Sequence, residues 1–398
     1  MSGTVTNVLF TSEKSLSPRM NKTVLAGFVV FLLGSCSLSS NTEQPEISYG
    51  HDLPEPKIQY LGVGGWLLHW RGEGLLLAPS FSNPATLNIE GWPPLWVEAN
   101  KQRIKKYMPK AGDVTMLLVG HGHYDHLLDV PWVMHMYTPH ATLYGSKTVV
   151  QIMHSIRFRD EAEKEHWTWV DPDRLKIVNS QMATVQNCEG RQEPSKPGTW
   201  IPSSGGHIRA MPIQSMHASH ILGHTFADGD YPTDLNEAPK SVFGWKQGQS
   251  MAWLIDLLDD NHKPVYRIHF QDSAAAPPCG ILQPMPDDTA VDVEILGVGS
   301  WENVDNYPDE LLKRTRPRLV LLGHWENFFG NDPGDPKPKP LSGQNVIGMQ
   351  KRVYKVLQDA AIHATVSMPA PLYEVALPPA KPPKVPRSGS TLTAHPRK

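Results

Sequence analysis

The sequence predicts an α/β fold, an αββα sandwich in which two mixed β-sheets pack face to face between outer helices. Apolar runs of strand length follow one another from Ile58 onward and then alternate with stretches of helical periodicity. Several runs are apolar at nearly every position, which is typical of strands buried on both faces. Such strands need a helix or a second sheet on each side, and this requirement predicts the layered arrangement.

The expected elements can be placed in chain order. Three strands joined by tight glycine turns open the domain at 58–63, 66–70 and 74–78, followed by a basic-faced helix at 98–107 and a buried strand at 114–119. Later strands are expected at 208–213, 251–257, 266–270, 291–296 and 319–322. Later helices are expected at 129–137, 147–156, 309–314 and 345–361.

Composition excludes several classes of protein. The 398 residues are 40% apolar with a mean hydropathy of −0.35, which is too polar for a polytopic membrane protein. The 12 Trp, 11 Tyr and 10 Phe are too many for a disordered chain. A net charge of −3 leaves no basic excess, so nucleic acid is not expected as a partner. The 18 histidines are the excess to follow, because neutral imidazole is the commonest metal ligand.

Residues 1–35 are expected to be a leader with a lipoprotein signal peptide. The apolar run at 23–35 follows Lys22 and is too short to span a bilayer of about 30 Å as a helix. Residues 33–36 (LGSC) resemble the bacterial lipobox, in which the cysteine is lipidated, and Met20 would then be the true start. We therefore expect a lipid anchor at Cys36 that holds the protein to a membrane of the bacterial cell envelope, at the outer membrane or periplasm of a Gram-negative cell. The alternative is an uncleaved signal anchor.

The rest of the chain divides into three expected parts. Polar residues 36–56 form a tether, residues 57–367 a single domain, and residues 368–398 a basic, Pro-rich tail. Cys188 and Cys279 both lie in expected loops, where they could pair in an oxidising compartment or remain free thiols.

The clearest functional motif is the segment 121–126 (HGHYDH), which directly follows the strand expected at 114–119. A loop that leaves a strand end can direct His121 and His123 to one ion while Asp125 and His126 reach a second ion beside it. A regular strand would place His126 on the opposite face. The motif therefore requires irregular backbone, which Gly122 permits.

This motif matches the H-x-H-x-D-H signature of the metallo-β-lactamase-fold superfamily, and the span from Ile58 to about Val366 resembles that fold. Residues 60–66 (YLGVGGW) resemble its opening strand and turn. The sequence around the motif resembles that of the branch that contains N-acyl-phosphatidylethanolamine phospholipase D and the ascorbate-phosphate lactonases. One position departs from the pattern: Ala78 stands where the family usually has an aspartate that orients the metal loop.

The resemblance implies three further ligands. A third histidine for the first site should follow the strand at 208–213, where His217 is preferred and His220 is the alternative, as a ligand or as a substrate contact. Asp272 should bridge the two ions, and His324 should complete the second site. The implied sites are His121, His123 and His217 for the first ion and Asp125, His126 and His324 for the second, with Asp272 shared. Nitrogen and oxygen ligands suit Zn²⁺ and could also hold Fe or Mn.

The resemblance further implies a metal-dependent hydrolase. Two ions about 3.5–4 Å apart would generate a hydroxide at neutral pH and polarise a substrate oxygen. Asp125 is the expected catalytic residue, since it can handle a proton as well as bind metal. Two divalent ions, two carboxylates and one hydroxide give the site a net charge of about +1, which favours an anionic substrate. A phosphodiester or a phospholipid-like molecule, small or lipid-derived, is therefore expected first.

Two alternatives remain open for the function, a lactone or ester hydrolase and a non-catalytic metal-binding lipoprotein. Hydrolysis of β-lactams is disfavoured, because the family's true β-lactamases lack the bridging aspartate. The loop-rich segment 225–249, which contains Tyr231, Phe243 and Trp245, is expected to form a wall or lid over the substrate.

Overall fold

A computed structural model describes residues 44–159, 167–220, 224–282, 287 and 289–381 of the chain. The expected leader and the anchoring Cys36 lie outside the described residues, as do residues 382–398 of the expected tail. Within these ranges, no helix combines the length and the apolar character that crossing a membrane requires.

The described chain forms short strands joined by loops and a few helices. The strands are β1 (Lys57–Gly62), β2 (Gly65–Trp70), β3 (Glu73–Leu77), β4 (Val114–Leu118), β5 (Thr142–Gly145), β6 (Phe158–Arg159), β7 (Trp167–Thr168), β8 (Leu175–Ile177), β9 (Ile201–Pro202), β10 (Ile208–Gln214), β11 (Met251–Leu258), β12 (Pro264–Gln271), β13 (Val293–Gly297), β14 (Leu319–Gly323), β15 (Thr365–Ser367) and β16 (Glu374–Ala376). The helices are α1 (Lys101–Tyr107), α2 (Tyr124–Leu127), α3 (Val130–Met136), α4 (Lys147–Ser155), α5 (Asp309–Thr315) and α6 (Val346–Asp359). Every expected strand and helix is present, with its ends shifted by a few residues.

Two mixed sheets form the centre of the fold. The first has the strand order β16-β1-β2-β3-β4-β5-β8, and the second has the order β15-β14-β13-β12-β11-β10-β9. In the first sheet, each neighbouring pair in the series β16-β1-β2-β3 is antiparallel, and each neighbouring pair in the series β3-β4-β5-β8 is parallel. In the second sheet, each neighbouring pair in the series β9-β10-β11-β12 is antiparallel, and each neighbouring pair in the series β12-β13-β14-β15 is parallel. The predicted pair of mixed sheets is confirmed.

The apolar runs are buried on both faces because successive side chains of a strand point to opposite sides. On β4, Met116 and Leu118 belong to the buried cluster shared with the second sheet. Leu117, between them, belongs to a second cluster with Ile104 of α1 and Val149 of α4. On the other side, α5 and α6 contribute to the same cluster as β13 and β14. The layers are therefore helix, sheet, sheet and helix, as predicted.

The domain extends beyond the C-terminal boundary expected at residue 367. β16 lies within the segment assigned to the tail and pairs with β1, with Lys57 opposite Ala376 and Gln59 opposite Glu374. The end of the expected tether is packed as well, since the Ser48 N–H donates to the Met368 carbonyl at 2.9 Å. A three-residue edge strand beside a Pro-rich stretch has too little periodicity to be recognised in the sequence.

The pairing of the two cysteines, which the sequence left open, is resolved in the fold. Cys188 and Cys279 form a disulfide with a Cα–Cα distance of 4.9 Å. Several aromatic residues are core residues, and four tryptophan side chains of the described chain are fully buried, namely Trp66, Trp245, Trp253 and Trp325.

Candidate metal centre

The ligand-type residues predicted from the sequence lie at the carboxyl ends of four strands. β4 is followed by residues 121–126, which we call the metal loop, β10 by His217, β12 by Asp272 and β14 by His324. β10, β12 and β14 run in the same direction in the second sheet, so their carboxyl ends meet at one edge. This edge and the metal loop of the first sheet bring all seven predicted residues together.

The metal loop has the irregular backbone that the motif requires. His123 is extended, with φ −64° and ψ 151°, and the short helix α2 begins directly after it. Gly122 was expected to permit irregular backbone, but the structure shows that glycine is needed there for close packing. A Cβ atom there would lie under 3.0 Å from the Lys246 carbonyl oxygen, so the residue permits close packing against segment 225–249.

The first cluster consists of His121, His123 and His217. Their ring centroids lie 4.6–4.7 Å apart, and one ligand atom from each lies within 4.8 Å of the others. The Nε2 atoms of His121 and His123 are buried and have no hydrogen-bond partner among the described residues. The Nδ1 atom of His217 lies 2.7 Å from the Ala218 carbonyl oxygen, so it carries the ring hydrogen and leaves Nε2 as a free lone pair.

The second cluster consists of Asp125, His126 and His324. The Asp125 Oδ2 atom lies 3.3 Å from His324 Nε2 and 3.7 Å from His126 Nε2. The Nε2 edges of both rings therefore face the Asp125 carboxylate. Because an unpaired buried polar atom costs about 1–3 kcal/mol, the partnerless Nε2 atoms of His121 and His123 in the first cluster fit a site that binds a metal ion.

Asp272 lies between the two clusters. Its Oδ2 atom is hydrogen-bonded to His121 Nδ1 at 2.8 Å, and its Oδ1 atom lies 2.9 Å from His126 Nδ1. With these two histidines it forms a third group of ligand-type atoms close enough to hold an ion, and it joins the two clusters through the Nδ1 edges of their rings. A carboxylate in this position fixes the orientation of metal-binding imidazoles. Asp272 therefore provides the orienting carboxylate that Ala78 cannot provide.

Two glycines make room for this carboxylate. A Cβ atom on Gly120 would lie under 3.0 Å from Asp272 Oδ2, and one on Gly64 would lie under 3.0 Å from His126 Nδ1. Sequence reasoning did not assign either glycine to the site. The glycine-rich turn around Gly64 and the Gly-His junction after β4 were the available signals.

The protonation of the two clusters differs in the absence of metal. Burial lowers the pKa values of His123 and His217 well below 6.5, and neighbouring imidazoles lower them further. Burial acts in the same direction on His126, but the carboxylates of Asp272 and Asp125 raise its pKa to about 9. The first cluster therefore offers neutral imidazoles near pH 7, whereas His126 in the second cluster is protonated.

Segment 225–249 lies beside the metal loop. The Gly122 N–H donates to the Gln247 carbonyl oxygen at 2.8 Å. Trp245, expected as a wall residue, is instead fully buried and donates its Nε1–H to the Pro239 carbonyl at 3.1 Å. Phe243 is 46% exposed and remains available to contact a substrate.

Comparisons with known proteins give structural matches only. No protein-family model matches the chain, and no curated protein matches it. Igni18, a novel metallo hydrolase from Ignicoccus hospitalis, is 13% identical with a TM-score of 0.43, covering 80% of this chain and 97% of that chain. YhfI, a metallo-β-lactamase-fold protein from Bacillus subtilis, is 10% identical with a TM-score of 0.40, covering 80% and 98%. An isothiocyanate hydrolase from Delia radicum gut bacteria is 10% identical with a TM-score of 0.41, covering 81% and 99%.

Matches at this level of similarity carry no information about substrate or mechanism. The fold assignment rests on features of the chain itself. These are two mixed seven-stranded sheets between helices, and an H-x-H-x-D-H loop that leaves β4 and meets ligands from three strand ends of the second sheet. On these features, the chain has the metallo-β-lactamase fold that its sequence predicts.

Proposed function

We propose that this protein is a metal-dependent hydrolase that binds two divalent ions and acts on an anionic substrate, with a phosphodiester or a phospholipid-like molecule as the first candidate. One observation carries the proposal. Six side chains from three separate segments converge in two adjacent clusters of three, and the buried Nε2 atoms of His121 and His123 in the first cluster have no partner among the described residues. A structural role for these residues would not leave such nitrogens unpaired.

The donor set is suited to the ions we propose. The first ion would be held by the His121, His123 and His217 imidazoles, and the second by Asp125, His126 and His324. Nitrogen and carboxylate donors favour Zn²⁺, with Fe or Mn as the alternatives. When bound, such ions lower the pKa of a coordinated water and polarise a substrate oxygen.

Asp125 is the proposed catalytic residue of the chain. Burial would favour its protonated form, but the imidazoles of His126 and His324 hold the pKa of this carboxyl well below its usual range. Its Oδ2 atom lies 3.3 Å from His324 Nε2 and 3.7 Å from His126 Nε2. The ionised carboxylate can accept a hydrogen bond from the attacking water and orient it.

Charge and surface shape support the proposed substrate class. Two divalent ions exceed the charge of the two carboxylates in the site, which favours an anionic group at the metals. Trp96 and Phe243, which are 72% and 46% exposed, lie on two loops paired through a bridge between Trp96 and Ser241. The Phe243 loop belongs to segment 225–249 beside the metal loop, so an apolar portion of a substrate has side chains to contact.

We propose that the protein works in the bacterial cell envelope, attached to a membrane by a lipid at Cys36. The disulfide between Cys188 and Cys279 supports an oxidising compartment, because such bonds rarely persist in the cytosol. Metabolic labelling with a palmitate analogue tests the anchor. Incorporation that is lost in Cys36→Ala supports it, and labelling unaffected by Cys36→Ala contradicts it.

The function is tested by measuring metal content and turnover on the same preparation. Purified protein, reconstituted with Zn²⁺, is assayed with a phosphodiester, a phospholipid, a lactone and a β-lactam. We expect about two ions per chain and hydrolysis of the phosphodiester or phospholipid, abolished in Asp125→Ala and His121→Ala. Turnover of the lactone alone would favour the ester-hydrolase alternative. Two bound ions without turnover of any substrate would favour a non-catalytic metal-binding protein.

A further inference from the structure

His220 lies at the edge of the first cluster but is not one of its three ligands. Its ring centroid is 5.0 Å from that of His217 and 5.9 Å from that of His123. The groups of ligand-type atoms that converge closely enough to hold an ion include His217 and do not include His220. The ring therefore faces the site without belonging to the ligand set.

The backbone around His220 holds it in place. Its N–H donates to the His224 carbonyl oxygen at 2.9 Å. The side-chain amide of Asn303 donates to the carbonyl oxygens of Ser219 and His220 at 2.8 and 3.2 Å. The ring also packs against Phe226 at a centroid distance of 5.3 Å. A side chain fixed in this way is preorganised for a contact with a bound molecule.

The hydrogen bonds of His217 and His220 select opposite tautomers. The Phe226 N–H donates to His220 Nδ1 at 3.1 Å, so Nδ1 must be unprotonated and the neutral ring carries its hydrogen on Nε2. A neutral imidazole of this form has no free lone pair for a metal ion. His217 has the reverse arrangement, with its hydrogen on Nδ1. This difference assigns the metal-ligand role to His217 and a donor role to His220.

The donor of His220 is unused within the described part of the protein. Its Nε2–H makes no hydrogen bond to any described residue, and Nδ1 is the only ring atom that has one. We propose that His220 is a catalytic residue that donates its Nε2–H to an oxygen of the substrate on which negative charge develops. The proposal rests on the proposed hydrolase function. The oxygen would be a non-bridging oxygen of a phosphodiester or the carbonyl oxygen of an ester, which present the same acceptor to the donor.

The test compares His220→Ala with two reference variants in the zinc-loaded protein. His217→Ala removes a proposed ligand and should lose the first ion. His224→Ala changes an exposed histidine of the same loop while its backbone carbonyl stays in place, so it should behave like the wild type. His220→Ala should keep both ions, because His220 is not a ligand, and its kcat should fall about 100-fold, as expected for the loss of one preorganised donor. His220→Gln, which restores an N–H donor, should recover part of this loss.

Binding of inorganic phosphate provides a readout that does not depend on turnover. Titration calorimetry should show about tenfold weaker binding of phosphate to His220→Ala than to the wild type, with His224→Ala unchanged. The proposal would be overturned if His220→Ala loses an ion, or if His220→Ala has the same phosphate affinity and the same kcat as the wild type. Absence of phosphate binding to the wild type would also overturn it. A wild type that hydrolyses nothing but binds phosphate through His220 would refute the hydrolase function and leave the donor role of His220 intact.

Discussion

The hydroxyl oxygen of Tyr60 accepts a hydrogen bond from the backbone N–H of His324 at 2.8 Å. The same hydroxyl donates to Glu326 Oε2 at 2.5 Å, and Glu326 Oε1 accepts from the Val63 N–H at 2.7 Å. His324 has a φ of 57°, in the left-handed region that costs a residue other than glycine about 1–3 kcal/mol. Tyr60 on β1 thus stabilises the left-handed backbone conformation of His324, the proposed ligand that follows β14.

Replacement of Tyr60 by Phe should weaken the second metal site and leave the first unchanged. The variant keeps the ring but removes the acceptor for the His324 N–H and the donor to Glu326. We expect an affinity for the second ion about 10–100-fold lower and a loss of about 1–3 kcal/mol in the free energy of unfolding. Stepwise metal titration and urea denaturation measure the two effects. Tyr107→Phe is the control, because its hydroxyl donates to Asp332 and not to a proposed ligand. An unchanged second affinity in Tyr60→Phe would contradict the role of Tyr60.

Replacement of Gly120 by Ala should displace Asp272 and reduce the binding of both ions. The added Cβ would lie under 3.0 Å from the carboxylate that orients His121 and His126. Gly112→Ala is a matched control, because a Cβ there has no heavy atom within 4 Å. Atomic absorption on both purified variants should show metal loss only in Gly120→Ala. Full metal content in Gly120→Ala with an intact circular dichroism spectrum would show that the Asp272 contacts are dispensable.

The parts of the site that the sequence predicts are those tied to strand ends. The metal loop and His324 directly follow apolar runs that could only be buried strands, so their placement at a sheet edge follows from local pattern. The choice between His217 and His220 could not be made in the same way. It depends on hydrogen bonds from Ala218 and Phe226, whose backbone positions are set by tertiary packing.

The position of Asp272 was beyond sequence reasoning for a related reason. The end of β12 places the carboxylate near the histidines, but the side of the rings that it meets depends on space created by Gly64 and Gly120, which come from other segments. Tyr60 was missed because an aromatic residue in a buried strand is normally a core residue. Only the fold brings its hydroxyl to the backbone of His324, more than 260 residues away in sequence.

Binding of the second ion should release a proton near pH 7, whereas binding of the first should not. His126 has a pKa of about 9 in the metal-free protein, so the ion must displace its proton. The imidazoles of His121, His123 and His217 have lowered pKa values and are already neutral. The affinity for the second ion should therefore rise about tenfold per pH unit up to about pH 9. Calorimetry in buffers of different ionisation enthalpy measures the protons released, and equal release in both steps would contradict this difference.

Removal of the disulfide should destabilise the fold without emptying the metal sites. Cys188 and Cys279 are buried on the second sheet and close a loop with a sequence separation of 91 residues. A cross-link of that span reduces the entropy of the unfolded chain and stabilises the native state by about 4.6 kcal/mol. The variant with both cysteines replaced by Ser should lose about this much in urea denaturation and should not respond to dithiothreitol, which should destabilise the wild type. Both proteins should bind the same number of ions, since neither cysteine belongs to a ligand cluster. Equal stability of the wild type with and without reductant would show that the bond contributes nothing to folding.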